Sequence, residues 1–224
     1  MRAAVSTGVA RLEAFEAAKT AVVVVDLQND FCAPQGALGR TGMAVEPLSA
    51  VIANVNRLTR CARDLGAAIV FLQSVYADRK GRLRAPAMAR HAQRRWNGRG
   101  ADVPFLCDGH WGSELHADVA AHPSDIIVRK FAYDGFFRSR LGAVLRAADV
   151  RRVIVAGVTT DVCVLFTSQE AYQRGYDVMI PSDCVAAYDS ERHRAALRVL
   201  DHAVAQVCTC DDLLEAANRA APRS

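Results

Sequence analysis

The chain has 224 residues, 51% of them hydrophobic and 23% charged, with a formal net charge of +4 at pH 7. That composition suits one α/β domain with a core of ordinary size and excludes collagen-like, disulfide-scaffold and mostly disordered proteins. No apolar run approaches the roughly 20 residues that span a bilayer, and the N-terminus lacks the long apolar stretch of a signal peptide, so a cytoplasmic protein with no membrane partner is expected.

In chain order, residues 21–25 (AVVVV) read as a first strand. A helix follows from about 46 to 65, because Leu48, Val51, Ile52, Val55, Leu58, Ala62 and Leu65 recur three and four apart and Gly66 stops it. Residues 67–72 form the second strand. Residues 73–112 show no clear period and are too long for an ordinary connection, which marks them as an insertion or lid. A helix is expected near 113–121 and a strand at 125–128. Leu141, Val144, Leu145 and Ala148 mark another helix. Strands at 152–156, 176–180 and 204–208 then alternate with helices near 161–174, 189–202 and 211–220. Such alternation predicts a parallel sheet with helices on both faces in a single domain, residues 1–224.

The modest net charge hides a basic segment. Between residues 79 and 101 stand Arg79, Lys80, Arg82, Arg84, Arg90, Arg94, Arg95 and Arg99 with no acid among them, so the rest of the chain is net negative. No zinc finger, KH loop or RNP-like aromatic pattern accompanies it, and nucleic acid is not an expected partner. The segment suits a solvated loop, a subunit contact or attraction of an anionic substrate. The seven cysteines, at 32, 61, 107, 163, 184, 208 and 210, are odd in number and contain no C-x-x-C, so free thiols are expected.

In an open parallel sheet, chemistry gathers at the carboxyl edge of the strands. That rim is expected to carry Asp26-Leu27-Gln28-Asn29-Asp30-Phe31 after the first strand, Lys130 after the 125–128 strand, and Gly157-Val158-Thr159-Thr160-Asp161-Val162-Cys163 after the 152–156 strand. An acid, an amine and a thiol thus converge. Cys163 should lie in the first turn of a helix capped by Thr160 or Asp161, where the helix N-terminus and a nearby Lys⁺ favour thiolate over thiol. Lysine occurs only at 19, 80 and 130 among many arginines, which suggests that position 130 needs a compact charge. Asp26 follows four valines and should be partly buried, requiring a partner. The three could supply nucleophile, thiolate stabiliser and general acid/base for acyl transfer. Dinucleotide, P-loop and serine-hydrolase motifs are missing, as is the arginine that a cysteine phosphatase would place six residues after its cysteine, where Gln169 stands. A redox role for Cys163 would want a resolving thiol, for which Cys184 is the candidate.

The segments VVVVDLQNDF (22–31), DIIVRKFAYDGFFRSRL (125–141), VIVAGVTTDVCV (153–164) and GYDVMIPSDCVAA (175–187) resemble the isochorismatase-like cysteine hydrolases. These include nicotinamidase, the amidohydrolases of N-carbamoylsarcosine, ureidoacrylate and biuret, and isochorismatase itself. The resemblance implies a three-layer α/β/α Rossmann-like domain with a six-stranded parallel sheet, and a catalytic triad of Asp26, Lys130 and Cys163. It also implies a non-proline cis peptide at Val158-Thr159, with the Thr159 and Cys163 N–H groups as the oxyanion hole. The implied reaction is hydrolysis of a C–N bond in a small amide or ureide through a thioester, with ammonia released.

Within that family, isochorismatases proper lack the cysteine, and nicotinamidases hold a metal through a site that begins with Asp-x-His after the second strand. Here that stretch is Gln73-Ser74-Val75-Tyr76-Ala77-Asp78-Arg79-Lys80, so no metal or other cofactor is expected. Asp108-Gly109-His110 has the spacing but comes much later and reads as a surface turn, and His110, His116 and His122 read as solvated. The overall pattern looks most like the ureide-cleaving branch; nicotinamidase-type, maleamate-type and isochorismatase-type activities are the alternatives. Phe31, Trp96, Tyr133, Phe136 and Phe137 are candidate pocket walls. Gln28, Asn29 and Gln73 could meet a ureide's polar edge, and Arg82, Arg84, Arg94 or Arg95 a substrate carboxylate. A homodimer or homotetramer is the assembly that the resemblance implies.

Overall fold

The computed structural model describes residues 16–45, 47–78, 80 and 105–220. Its parallel strands are β1 (Thr20–Val25), β2 (Ala68–Ser74), β3 (Ile126–Lys130), β4 (Arg152–Val158), β5 (Asp177–Pro181), β6 (Val185–Ala186) and β7 (Gln206–Cys208). The helices are α1 (Asn29–Cys32), α2 (Leu48–Asp64), α3 (Leu141–Ala147), α4 (Leu165–Gln173), α5 (Ser190–Ala203) and α6 (Cys210–Ala220). The expected six parallel strands are present, in the order β3-β2-β1-β4-β5-β7, and the short β6 adds a seventh by pairing with the end of β4. Among the described residues no helix is long and apolar enough to cross a membrane.

The four valines of β1 explain the layering. Successive side chains of a strand point to opposite faces. Val22 and Val24 pack with Ile69, Phe71, Ile154 and Ala156 against α2 and α6. Val23 and Val25 pack with Val70, Leu72, Val128, Val153 and Val155 against α3, α4 and α5. All six residues of β1 are buried, and each fully buried Val or Leu contributes about 1.5–3 kcal/mol.

Two expectations change. No helix forms at 113–121, where only one tight turn, Trp111–Ser113, is helical. The backbone there is taken up by neighbours instead: His116 N–H donates to Leu27 O, Asn56 Nδ2 donates to Asp118 O, and Ala120 N–H donates to Asn56 Oδ1. The last strand begins at Gln206 rather than 204, because the N–H groups of Val204 and Ala205 both close the end of α5 on Leu200 O.

Candidate active site

The strand order reverses between β1 and β4, since the chain first builds outward through β2 and β3 and then returns to β1's other side. A crevice at such a switch point is where open α/β sheets hold their ligands. Its floor needs glycine: a Cβ on Gly157 would lie 2.1 Å from Val25 O, and its φ of +104° is one that side chains resist. The close approach seats the end of β4 beside Asp26. The next peptide, Val158-Thr159, is cis.

Asp26 is the first residue past β1, with a φ of 53° in the left-handed region. Continued alternation would send its side chain to the α2 face, away from Val25. The left-handed turn instead brings the carboxylate to the side of Val25 and Leu72, where Ser74 and Lys130, paired in register at the ends of β2 and β3, present their polar atoms. Lys130 Nζ lies 2.8 Å from Asp26 Oδ2 and donates to Ala132 O at 3.0 Å and Tyr133 O at 3.2 Å. Ser74 Oγ donates to Asp26 Oδ1 at 3.0 Å. Both charged side chains are fully buried. Burial works against the lysine's charge, but Asp26 and Cys163 outweigh it and hold Lys130 above its ordinary 10.5.

Cys163 is buried above this pair. It sits not in the first turn of a regular helix but in a wide π-type turn, Thr160–Val164, in which Val164 N–H reaches back five residues to Thr159 O. Single π-type turns of this kind occur often at functional sites. Neither Thr160 nor Asp161 caps the turn. Thr160 Oγ1 pairs with His193 Nδ1 at 2.9 Å, and Asp161 accepts from Arg192 at 3.1 Å, so α5 grips the turn from outside. At Cys163 burial works against the expected thiolate, pushing the thiol up to about 12, while Lys130 pulls it down and the Asp26 carboxylate pushes it up again.

Other assigned residues have different surroundings. Gln28 is fully buried, with Nε2 donating to Ser74 O and Ser113 O and Oε1 accepting from Ser74 N–H, so the amide offered to a ureide is engaged within the protein. Asn29 Nδ2 donates to Trp111 O. Phe31, Phe105, Tyr76, Tyr133 and Phe166 form a chain of ring contacts at 5.5–6.4 Å. Phe136 stacks on Tyr176 in the core, and Phe137 is exposed. Gln73 is half-buried, one residue out of phase with Ser74. Trp96, Arg82, Arg84, Arg94 and Arg95 lie outside the described residues.

Sequence reasoning missed Ser74, Tyr76 and His193. Tyr76 OH is 3.3 Å from Ser74 Oγ and 4.0 Å from Cys163 Sγ. Cys184 packs in the layer below the sheet with Cys210, on the face opposite Cys163, so it cannot act as a resolving thiol. Among the described residues all cysteines are free, and no group of three or more His, Cys, Asp or Glu could hold a metal ion.

The chain as a whole is similar to several known proteins. The chain is 32% identical over 175 residues to the ureidoacrylate amidohydrolase RutB of Variovorax paradoxus, covering 76% of this chain and 69% of that protein. It is 30% identical over 200 residues to the RutB of Pseudomonas syringae pv. syringae, covering 87% and 82%. Among solved structures, a cysteine hydrolase from Pseudomonas syringae pv. phaseolicola superposes with a TM-score of 0.77 at 26% identity over 92% of this chain and 95% of the other. N-carbamoylsarcosine amidase from Thermoplasma acidophilum gives 0.66 at 26% identity over 86% and 97%. The Isochorismatase domain pattern matches residues 20–212, and with its fold and strand order this chain belongs to the isochorismatase family.

Proposed function

We propose that the protein is a cysteine amidohydrolase that cleaves a C–N bond of a small ureide of the ureidoacrylate or carbamoyl type. The observation that carries this is the fully buried Asp26–Lys130 pair set beneath the Cys163 thiol at the sheet's switch point. The names of the relatives supply the substrate class.

Burial disfavours a free thiolate at Cys163, so activation of the sulfur is coupled to attack. Asp26 takes the Cys163 proton as Sγ bonds to the carbonyl carbon, with Lys130 holding the charged groups in place. The oxyanion is received by the N–H groups of Thr159 and Cys163. Asp26 then returns the proton to the leaving nitrogen as the C–N bond breaks, leaving a thioester. Next Asp26 deprotonates a water, the water oxygen bonds to the acyl carbon, the C–S bond breaks, and the proton returns to Sγ. Ammonia results whichever nitrogen of a ureide leaves, since a carbamate product decomposes to ammonia and carbon dioxide. A substrate carboxylate would find partners in the arginines of 79–99, and a homodimer or homotetramer is the proposed assembly.

The test is ammonia release from ureidoacrylate, N-carbamoylsarcosine, biuret, maleamate and nicotinamide by wild type and Cys163→Ala. Release from a ureide by wild type alone is expected. An active Cys163→Ala protein would overturn the covalent mechanism, and release only from nicotinamide or maleamate would move the substrate to a plain amide.

A further inference from the structure

Tyr76 stands at the site with no part in the mechanism above. Its side chain is buried, and its hydroxyl oxygen lies 3.3 Å from Ser74 Oγ and 4.0 Å from Cys163 Sγ. Ser74 Oγ lies within hydrogen-bond distance of both Asp26 Oδ1, at 3.0 Å, and Tyr76 OH, at 3.3 Å, and can donate to only one of them at a time. Ser74 has one hydroxyl proton, and it goes to Asp26 Oδ1, because an ionised carboxylate can only accept. Ser74 Oγ is therefore left as an acceptor for Tyr76. The tyrosine ring is held against Phe105 and Tyr133 and lies 5.9 Å from the Lys130 ammonium, so the hydroxyl can rotate its proton while the ring stays fixed. Burial above all raises Tyr76 well above its ordinary 10, which keeps its proton on the oxygen.

We infer that Tyr76 is a further catalytic residue, a donor that bonds to Ser74 while Cys163 is a thiol and turns to Cys163 Sγ when the sulfur carries negative charge. The inference rests on the reading of Cys163 as nucleophile and deepens it. Charge appears on sulfur twice, as the proton leaves for Asp26 and again as the thioester collapses. A hydroxyl that hydrogen-bonds only to the charged form favours that form. When Asp26 holds the transferred proton, its pull on the Ser74 hydroxyl weakens, and so does Ser74's hold on Tyr76. The same proton movement that charges the sulfur therefore releases the donor that stabilises it. The charged groups facing Cys163 are Asp26 and Lys130, with Tyr76 the remaining titratable neighbour.

Tyr76→Phe removes the hydroxyl and keeps the ring. The readout independent of substrate is the rate at which iodoacetamide alkylates Cys163 at fixed pH, followed by mass spectrometry of its peptide. A lost hydrogen bond to a charged group predicts that this rate, and kcat, fall roughly 10- to 100-fold, with KM little changed. A merely structural role for the tyrosine would loosen the pocket and speed alkylation. Ser74→Ala provides the opposite perturbation: it removes the resting partner, frees Tyr76 for the sulfur and should speed alkylation, whereas the double variant should match Tyr76→Phe alone. Unchanged or faster alkylation in Tyr76→Phe overturns the inference, and should that variant fail to fold, unchanged or slower alkylation in Ser74→Ala does so. If Cys163→Ala is inactive while Tyr76→Phe keeps both rates, the nucleophile stands and the donor role fails; an active Cys163→Ala protein sinks the nucleophile itself.

Discussion

Replacing Lys130 by methionine tests whether the ion pair at the base of the site is structural as well as chemical. The substitution keeps length and apolar volume but removes three contacts, to Asp26 Oδ2, Ala132 O and Tyr133 O. It leaves a fully buried carboxylate with Ser74 and the Cys163 thiol beside it and no cation to balance its charge. Breaking a buried pair by deleting one member destabilises by about 3–5 kcal/mol. In a domain of this size 1 kcal/mol corresponds to roughly 2–4 °C in Tm, so Lys130→Met should melt roughly 6–20 °C below wild type. The pH window follows from the sign of the shift. A lysine held above its ordinary 10.5 contributes stability that is complete below that value and lost as pH rises through the folded-state value, so the deficit should be full at pH 7–8 and shrink in strong alkali. Calorimetry on wild type, Lys130→Met and the Lys130→Met/Asp26→Asn double variant reads this directly. The double variant, with no stranded charge, should regain much of the loss. A single variant melting within a degree or two of wild type, or a double variant no better than the single, would refute the reasoning. Below its melting range Lys130→Met should still lose about 100- to 1000-fold in kcat, the scale of removing one preorganised electrostatic partner.

His193→Ala frees Thr160 and should lower kcat by roughly 2- to 10-fold, the worth of one neutral hydrogen bond. Burial holds His193 below its ordinary 6.5, against Asp161, which raises it, and with Arg194, which lowers it, so protonation disfavours the native turn: wild type keeps its stability above about pH 6.5 and loses it as pH falls further. A kcat–pH profile from 5 to 8 should show a shallower acid limb in His193→Ala, and an identical limb would remove His193 from the account. Gly157→Ala should yield insoluble protein or lose more than about 4 kcal/mol in urea titration, because its Cβ would strike the backbone of Val25. Near-native stability in that variant would show that β1 and β4 can separate without loss.

Much of the architecture was legible because it rests on burial. Four successive valines can only be a strand covered on both faces, and the heptad-like spacing from Leu48 to Ala62 can only be a helix with one apolar side. The 113–121 segment was misread because its backbone bonds to α2 and the 27–29 loop rather than to itself, a tertiary choice that leaves no periodic trace. At the site, Asp26, Lys130 and Cys163 were visible as unusual residue types at strand ends. Ser74 was not, because a serine is chemically ordinary until it is paired with Lys130, and Gln73 beside it lies on the other face of β2. Leu72 and Ser74 share one face of β2, the face of Val128 and Lys130, so the alternation already present in the sequence would have found it once the register was known. Tyr76 and His193 act through partners distant in sequence, Cys163 and Thr160, and carried no local signal.

The remaining question is why an acid directly after a strand should end up facing a lysine two strands away. A regular strand would carry Asp26 to the α2 face, where Val22 and Val24 meet only apolar neighbours and an ionised carboxylate would go unpaired. The left-handed backbone at Asp26 reverses that direction within one residue. Such a conformation costs a non-glycine residue of order 1–3 kcal/mol, and aspartate tolerates it better than most. What offsets it is the ion pair with Lys130 and the Ser74 hydrogen bond, both of which exist only in that conformation. Conversely, the lysine keeps its charge in a fully buried position chiefly because the carboxylate is delivered to it. The bend in β1, the charge on Lys130 and the acid beside Cys163 are therefore one interdependent arrangement. Its parts come from the ends of β1, β2 and β3, so that the parallel registers of the sheet set the distances on which the proposed chemistry depends.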